Sequence, residues 1–80
     1  MMFAGLDVKV GDVVVVESVD SRSLIQYTVI GQIHSIGSAG DVKHLAIETK
    51  TRRVLVAERW VNKIAFLYDS EDNSTLLITI

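Results

Sequence analysis

The sequence predicts an all-β fold, a small barrel of five to six antiparallel strands with one short helical turn near residues 57–64. Three observations predict it. Short β-branched and apolar stretches alternate with turn residues along the chain, glycine interrupts the longest stretch, and one segment has the spacing of a helical face. With 80 residues the chain forms a single domain, residues 1–80.

Two strands are predicted in the first half of the chain. Gly11 and Asp12 form a turn pair before four valines, and β-branched residues suit a pleated, half-buried surface, so the first strand covers residues 13–17. A loop rich in serine and aspartate follows at 18–23. The second strand covers 24–37, and Gly31 at its centre indicates a bulge or sharp bend. A strand bent there can serve two sheets of a small barrel.

The next two strands form the clearest hairpin in the sequence. After a glycine-rich turn at 37–41, residues 42–50 alternate between apolar and polar side chains. A second strand at 52–58 follows a short polar tip. The tip contains no glycine, so its turn type is left open.

Residues 57–64 carry the helical spacing. Ala57, Trp60, Val61 and Ile64 stand at i, i+3, i+4 and i+7, which predicts one α or 3₁₀ turn, because the segment is too short for a stable helix. Trp60 falls on the apolar side and is expected in the core. A strand at 65–69, a turn at 70–74 and a last strand at 75–80 complete the chain.

This arrangement resembles the SH3-like and Sm-like small barrels. The resemblance lies in VKVGDVVVV at the start, in the interrupted LIQYTVIGQIHSIG, and in RRVLVAERWVNKI, whose helical turn falls where such barrels place one. It covers most of the chain and implies a barrel fold. No family motif is matched position by position, so it implies no residue roles.

The composition argues against an enzyme, a metal site and a bound cofactor. No cysteine is present, and His34 and His44 match no nucleophile or metal-ligand motif. The acidic run at 69–72 lacks the glycine and late glutamate of a calcium loop. Apolar runs are too short to cross a membrane. Since small secreted domains usually need disulfides, we expect a cytoplasmic protein.

Charge is unevenly distributed, although the net charge is only −2. Residues 41–68 carry an excess of three positive charges, whereas the acidic tail carries three negative ones. This distribution gives one hypothesis, a nucleic-acid surface in which cations contact phosphates and aromatic rings stack on bases. Its candidate binding residues are Lys43, Lys50, Arg52, Arg53, Arg59, Tyr27 and Tyr68.

The other hypothesis is a protein-binding module. Cations at a hairpin tip also discourage sheet aggregation, and Glu48 and Glu58 can neutralise them across the hairpin. Small barrels recruit partners through grooves or by strand addition at a free edge, and residues 75–80 offer such an edge. With 49% hydrophobic residues, a chain this small is also expected to self-associate. We therefore predict a protein-interaction adaptor, regulator or inhibitor that forms a homo-oligomer. The alternative is RNA or DNA binding by the hairpin 43–63.

Overall fold

The computed structural model describes residues 1–67, which form seven strands and one 3₁₀ helix. The helix is Glu58–Trp60, and none of the helical structure in this range is long and apolar enough to cross a membrane. The predicted turn at 70–74, the predicted strand at 75–80 and Tyr68 lie outside the described residues. The strands are β1 (Met2–Phe3), β2 (Leu6–Asp7), β3 (Val13–Val19), β4 (Gln26–Ala39), β5 (Val42–Glu48), β6 (Arg53–Ala57) and β7 (Val61–Phe66).

The strands β3 to β7 form one five-stranded sheet in the order β6-β5-β4-β3-β7, and all of its pairs are antiparallel. The prediction of an all-β, antiparallel fold is therefore confirmed. Within residues 1–67, β6 and β7 are the edges of this sheet and do not pair with each other. Closure into a barrel stays a prediction.

The long strand β4 exchanges partners near its centre. Its first part pairs with β3 and its second part with β5, and Gln32 is the residue that pairs with both. The register shifts between Ile33 and Ser35, so the irregularity lies beside His34 and not at Gly31. Glycine is needed at position 31 because a Cβ there would overlap the carbonyl oxygen of Glu48. Backbone proximity, rather than a bulge, explains this residue.

The predicted hairpin is confirmed as the β5–β6 pair, with Glu48 opposite Arg53 and His44 opposite Ala57. Its tip is held by Thr49, whose backbone N–H donates to the carbonyl of Arg52 at 2.8 Å. The Thr49 hydroxyl oxygen also accepts the backbone N–H of Arg52 at 3.1 Å. A side chain that satisfies the turn's backbone groups makes glycine unnecessary here.

The predicted short helical turn is confirmed as a 3₁₀ helix, which ends at Trp60. Only Glu58–Trp60 are helical, and Val61 already has extended backbone with φ −81° and ψ 125°. From Val61 onward the chain pairs with β3, beginning at Ser18. The i, i+3, i+4, i+7 pattern thus predicted the place of the turn but not its end, because pairing with β3 determines the conformation of residues 61–64.

The N-terminal hairpin β1–β2 was not predicted. Its two turn residues, Ala4 and Gly5, have positive φ angles of 50° and 88°, as a tight hairpin turn requires. The hairpin brings Phe3 into the core with no exposed surface. Its backbone is held by side chains from two other elements: Lys43 Nζ donates to the Met2 carbonyl at 2.9 Å, and Ala4 N–H donates to Glu58 Oε2 at 2.7 Å.

The core lies on one face of the sheet, where alternate strand residues are buried. In β3 these are Val14 and Val16, and in β5 they are Leu45 and Ile47, as the predicted alternation of residues 42–50 requires. Trp60 is absent from this cluster, contrary to our expectation. The cluster of buried side chains is Phe3, Val8, Val14, Val16, Val29, Ile33, Leu45, Ile47 and Val56.

Candidate functional site

One groove of the described chain lies between the loop after β3 and strand β6. Its volume is about 710 Å³, and it is open to solvent along its length. Residues 20–23 of the loop form one wall, and residues 52–55 and 57 form the other. Tyr27 at the start of β4 and Trp60 of the 3₁₀ helix also line it. We call it the arginine groove, because it brings one arginine of the loop together with two from the distant hairpin tip and β6.

Those arginines are Arg22, Arg52 and Arg53, and the carboxylate among the lining residues is Asp20. Asp20 is engaged by its own loop, since Oδ1 accepts the backbone N–H of Arg22 at 2.7 Å and that of Ser23 at 3.2 Å. These two hydrogen bonds hold the pKa of Asp20 below its usual value. The groove lining therefore has an excess of positive charge.

Arg53 forms the one side-chain ion pair of the groove that the structure describes within residues 1–67. Its Nη2 lies 3.2 Å from Glu48 Oε2, and the two side chains are 53% and 52% exposed. This confirms the prediction that Glu48 neutralises a cation across the hairpin. An exposed pair of this kind contributes only about 0–1 kcal/mol, so an anionic ligand can compete with Glu48 for the guanidinium. Glu58 differs from our expectation, because its carboxylate accepts the N–H of Ala4 instead of pairing with an arginine.

Trp60 belongs to the groove and not to the core. It is half-buried, and the guanidinium of Arg59 lies 5.6 Å from the centre of its ring, within range of a cation–π contact. The buried hydroxyl of Ser18 donates to the Trp60 carbonyl at 3.1 Å and ties the 3₁₀ helix to β3. Trp60 leaves the core because the chain becomes extended directly after it, which turns the indole away from the predicted apolar helical face.

Apolar side chains flank the arginines. Leu55 on β6 is 65% exposed and Ile25 is 66% exposed, and both line the groove. Leu24, beside Ile25, is 68% exposed. Exposed apolar side chains clustered at a groove are typical of a binding surface, whereas isolated ones are not.

Strand β6 supplies main-chain groups as well. One side of β6 pairs with β5, and the other side has no strand partner among residues 1–67. The unpaired N–H and C=O groups of such an edge can hydrogen-bond an added strand. Arg53 and Leu55 stand on this same strand, so side-chain and main-chain recognition coincide.

The structure brings together only part of the predicted binding set. Arg52, Arg53 and Tyr27 line the groove. Arg59 is not among the lining residues, but its guanidinium lies over the ring of Trp60, which is. In the described chain, Lys50 is exposed in the hairpin tip without lining the groove, and Lys43 is turned toward Met2. Tyr68 lies outside the described residues. The basic hairpin is therefore not one continuous surface.

Sequence reasoning missed Arg22. Arg22 lies outside the basic stretch 41–68, yet the loop after β3 places it in the same groove as residues of β6. The available signal was the Asp20-Ser21-Arg22-Ser23 stretch, because an aspartate that accepts N–H groups two and three residues later fixes a compact turn. Such a turn presents its central side chains on one side of the chain.

A second groove, of about 470 Å³, lies at the opposite end of β3. Its charged lining is balanced, with Asp7 and Asp12 facing Lys9 and the N-terminal ammonium of Met1. The ammonium lies 2.8 Å from Asp7 Oδ1 and lowers the pKa of that carboxyl, first through this hydrogen bond and then through its charge. The groove offers no uncompensated charge to a ligand.

Metal binding and histidine chemistry find no support in residues 1–67. No group of three potential ligands comes together there. His34 is exposed beside the β4 irregularity and His44 is half-buried in β5. The acidic run at 69–72 lies outside the described residues. The predicted absence of a catalytic site and of a cofactor remains a prediction.

We expect the loop at residues 20–23 to lose the hydrogen bonds of Asp20 in acid. Asp20 has a folded-state pKa below 3.8, so its stabilising hydrogen bonds are present above that pH and are lost as the pH falls through the folded value. The amide NMR signals of Arg22 and Ser23 should titrate together with a midpoint below 3.8. Asp20→Ala should abolish this titration, and Asp41→Ala should leave it intact. A midpoint above 3.8 would contradict the assignment.

No family model, no curated protein and no solved structure matches this chain.

Proposed function

We propose that this protein is a non-enzymatic binding module that holds an extended, acidic peptide segment of a protein partner in the arginine groove. The observation that carries the proposal is the coincidence of three arginines with the free edge of β6. An added strand gains main-chain hydrogen bonds from the edge, and its carboxylates gain charge-assisted bonds from the guanidinium groups.

The apolar residues of the groove favour a peptide over a nucleic acid. Leu55 and Ile25 offer contact area to aliphatic side chains at alternate positions of an extended segment. A phosphate backbone gains nothing from this area. Arg59 also lies over the Trp60 ring, which leaves the indole less available for a stacked base. The partner segment should therefore alternate acidic and apolar residues.

Single-stranded nucleic acid is the second candidate, because Tyr27 and Trp60 stand in one groove with the arginines. Such ligands combine phosphate contacts with stacking on aromatic rings. The overall charge of −2 and the sequence pI near 5.5 give this candidate less support.

Two features support an SH3-like barrel as the framework. The strand order β6-β5-β4-β3-β7 and the 3₁₀ helix between β6 and β7 agree with that resemblance. We also propose self-association, supported by exposed Met1, Val10 and Phe66 away from the arginine groove. A light-scattering mass equal to one chain at high concentration would contradict self-association. The expected cytoplasmic location stays a prediction.

The only tryptophan of the chain makes the binding proposal directly measurable. Trp60 emission should change on titration with a peptide of alternating glutamate and valine, and a peptide of alternating lysine and valine should leave it unchanged. Short single-stranded oligothymidine serves as the competing ligand. Stronger binding of the oligonucleotide with a steep salt dependence would favour the second candidate and overturn the first. Emission that responds to neither probe would overturn both.

A further inference from the structure

We infer that the arginine groove recognises a phosphorylated serine or threonine of the partner peptide, with the phosphate held between the loop after β3 and strand β6. The inference rests on the proposed function and names the acidic group that the groove prefers. A phosphorylated side chain carries a charge of about −1.5 to −2 at pH 7 and three acceptor oxygens. An ionised glutamate or aspartate carries a single charge on two oxygens. The two groups therefore differ in how many cations each can contact at once.

The arginines of the groove stand on both of its walls. Arg22 belongs to the loop wall, and Arg52 and Arg53 belong to the wall formed by the hairpin tip and β6. All three are exposed, so their long side chains can turn toward a ligand between the walls. A carboxylate is matched by the two parallel N–H donors of one guanidinium. A phosphate has acceptors for guanidinium groups from both walls and gains more from this arrangement.

The charge of the groove also matches a doubly charged group. Three guanidinium groups against the carboxylate of Asp20 leave two positive charges in the lining. Asp20 accepts two N–H groups of its own loop, and Glu48 pairs with Arg53 alone. Among residues 1–67, neither Arg22 nor Arg52 has a carboxylate within ion-pair distance. One uncompensated guanidinium on each wall is therefore available to the phosphate.

Hydroxyl groups on the loop wall supply further donors. Ser21 and Ser23 both line the groove beside Arg22. The Ser23 hydroxyl oxygen accepts the backbone N–H of Ile25 at 3.3 Å, which leaves its O–H to donate elsewhere. Phosphate oxygens that the guanidinium groups do not occupy can accept these hydrogen bonds. The loop wall thus combines a cation with neutral donors, a combination that suits a group with several acceptor oxygens.

Three peptides of equal length test the inference on the full-length chain. The first alternates glutamate and valine, the second has phosphoserine in place of the central glutamate, and the third has serine there. Trp60 lines the groove, and its emission gives the affinities. We expect the phosphoserine peptide to bind at least tenfold more tightly than the glutamate peptide, and the serine peptide to bind most weakly. Equal or weaker binding of the phosphoserine peptide would overturn the inference and leave the proposed function in place. Binding of none of the three would overturn the proposed function itself.

Arg22→Ala separates the two ligand groups. It should weaken the phosphoserine peptide at least tenfold and the glutamate peptide less than threefold, because only the phosphate needs the loop wall. The turn should persist, since the backbone N–H of Arg22, and not its side chain, donates to Asp20. Lys50→Ala is the matched control: it removes the same charge from the hairpin tip outside the groove and should change either affinity less than threefold. Equal losses of both peptides in Arg22→Ala would contradict a phosphate held by both walls.

Acid supplies an independent readout. The second pKa of a phosphorylated side chain is about 6, so its advantage over glutamate should disappear between about pH 7.5 and about pH 5. Glutamate, with a pKa of about 4.3, stays mostly ionised over this range. The lining residues, all within 1–67, include no histidine, and the pKa of Asp20 lies below 3.8, so the groove keeps its charge. A constant advantage across this range would contradict binding of the dianion.

Oligothymidine distinguishes a phosphorylated peptide from a nucleic-acid backbone, whose phosphates each carry a single charge. We expect it to bind more weakly than the phosphoserine peptide. Tighter binding of the oligonucleotide, with an equal loss of affinity in Arg22→Ala, would show that the arginines bind a nucleic-acid backbone and would overturn the inference.

Discussion

Replacing Gly31 with alanine is expected to lower the free energy of unfolding by at least about 2 kcal/mol, because the new methyl group meets rigid neighbours. Its carbon would overlap the Glu48 carbonyl oxygen and stand 2.9 Å from Cγ2 of Ile47, which is fully buried. Neither atom is the end of a flexible, solvent-exposed side chain. The strands β4 and β5 would have to separate where β4 passes from one partner to the other. Urea denaturation followed by circular dichroism measures the effect.

Gly37→Ala is the matched control in the same strand. A Cβ at Gly37 meets nothing within 4 Å, so the change should alter stability by no more than about 0.5 kcal/mol. Similar effects for the two substitutions would mean that β4 and β5 do not approach closely at Gly31. The crossing of β4 between its two partners would then need another explanation.

The double substitution Arg52→Glu/Arg53→Glu is expected to weaken binding of an acidic peptide at least tenfold, or by about 1.4 kcal/mol. It removes two of the three groove arginines and places carboxylates opposite those of the ligand. The fold should survive, because the exposed Arg53–Glu48 ion pair contributes only about 0–1 kcal/mol. Trp60 fluorescence gives the affinity, and circular dichroism checks the fold.

Lys50→Glu is the control for this double variant. Lys50 lies in the same hairpin tip and is exposed, but it is not among the groove residues. It should change the affinity less than threefold, which corresponds to about 0.6 kcal/mol. Equal losses from Lys50→Glu and from the arginine variant would show that peptide binding follows the net charge of the hairpin and not the groove.

Local patterns in the sequence were sufficient to predict strands β3 to β6 of the main sheet. The four valines before Glu17 predict a strand, and the alternation around Leu45 and Ile47 also predicts which face is buried, as the structure shows. These signals are local because successive side chains of a strand point to opposite faces of the sheet, regardless of which strand pairs with it. The hairpin β5–β6 followed for the same reason.

The candidate site depended on contacts that no local pattern encodes. Arg22 and Arg53 line one groove although two strands, β4 and β5, separate the loop from β6 along the chain. Trp60 was misplaced because four residues matched a helical face while pairing with β3 imposed extended backbone from Val61 onward. Pairing with β3, and not the helical spacing of the sequence, therefore determined the backbone conformation after Trp60. The same limitation hid Phe3, whose burial depends on a hairpin folding onto the sheet.

Amide hydrogen exchange along β6 most directly tests the central claim that this edge accepts an extended peptide. Residues 53–57 are compared with and without a saturating peptide of alternating glutamate and valine. We predict that slower exchange appears at alternate amides of β6, because every second N–H points away from β5 and gains a partner from the added strand. Unchanged exchange in β6 while the peptide is bound would place the ligand elsewhere and contradict the account.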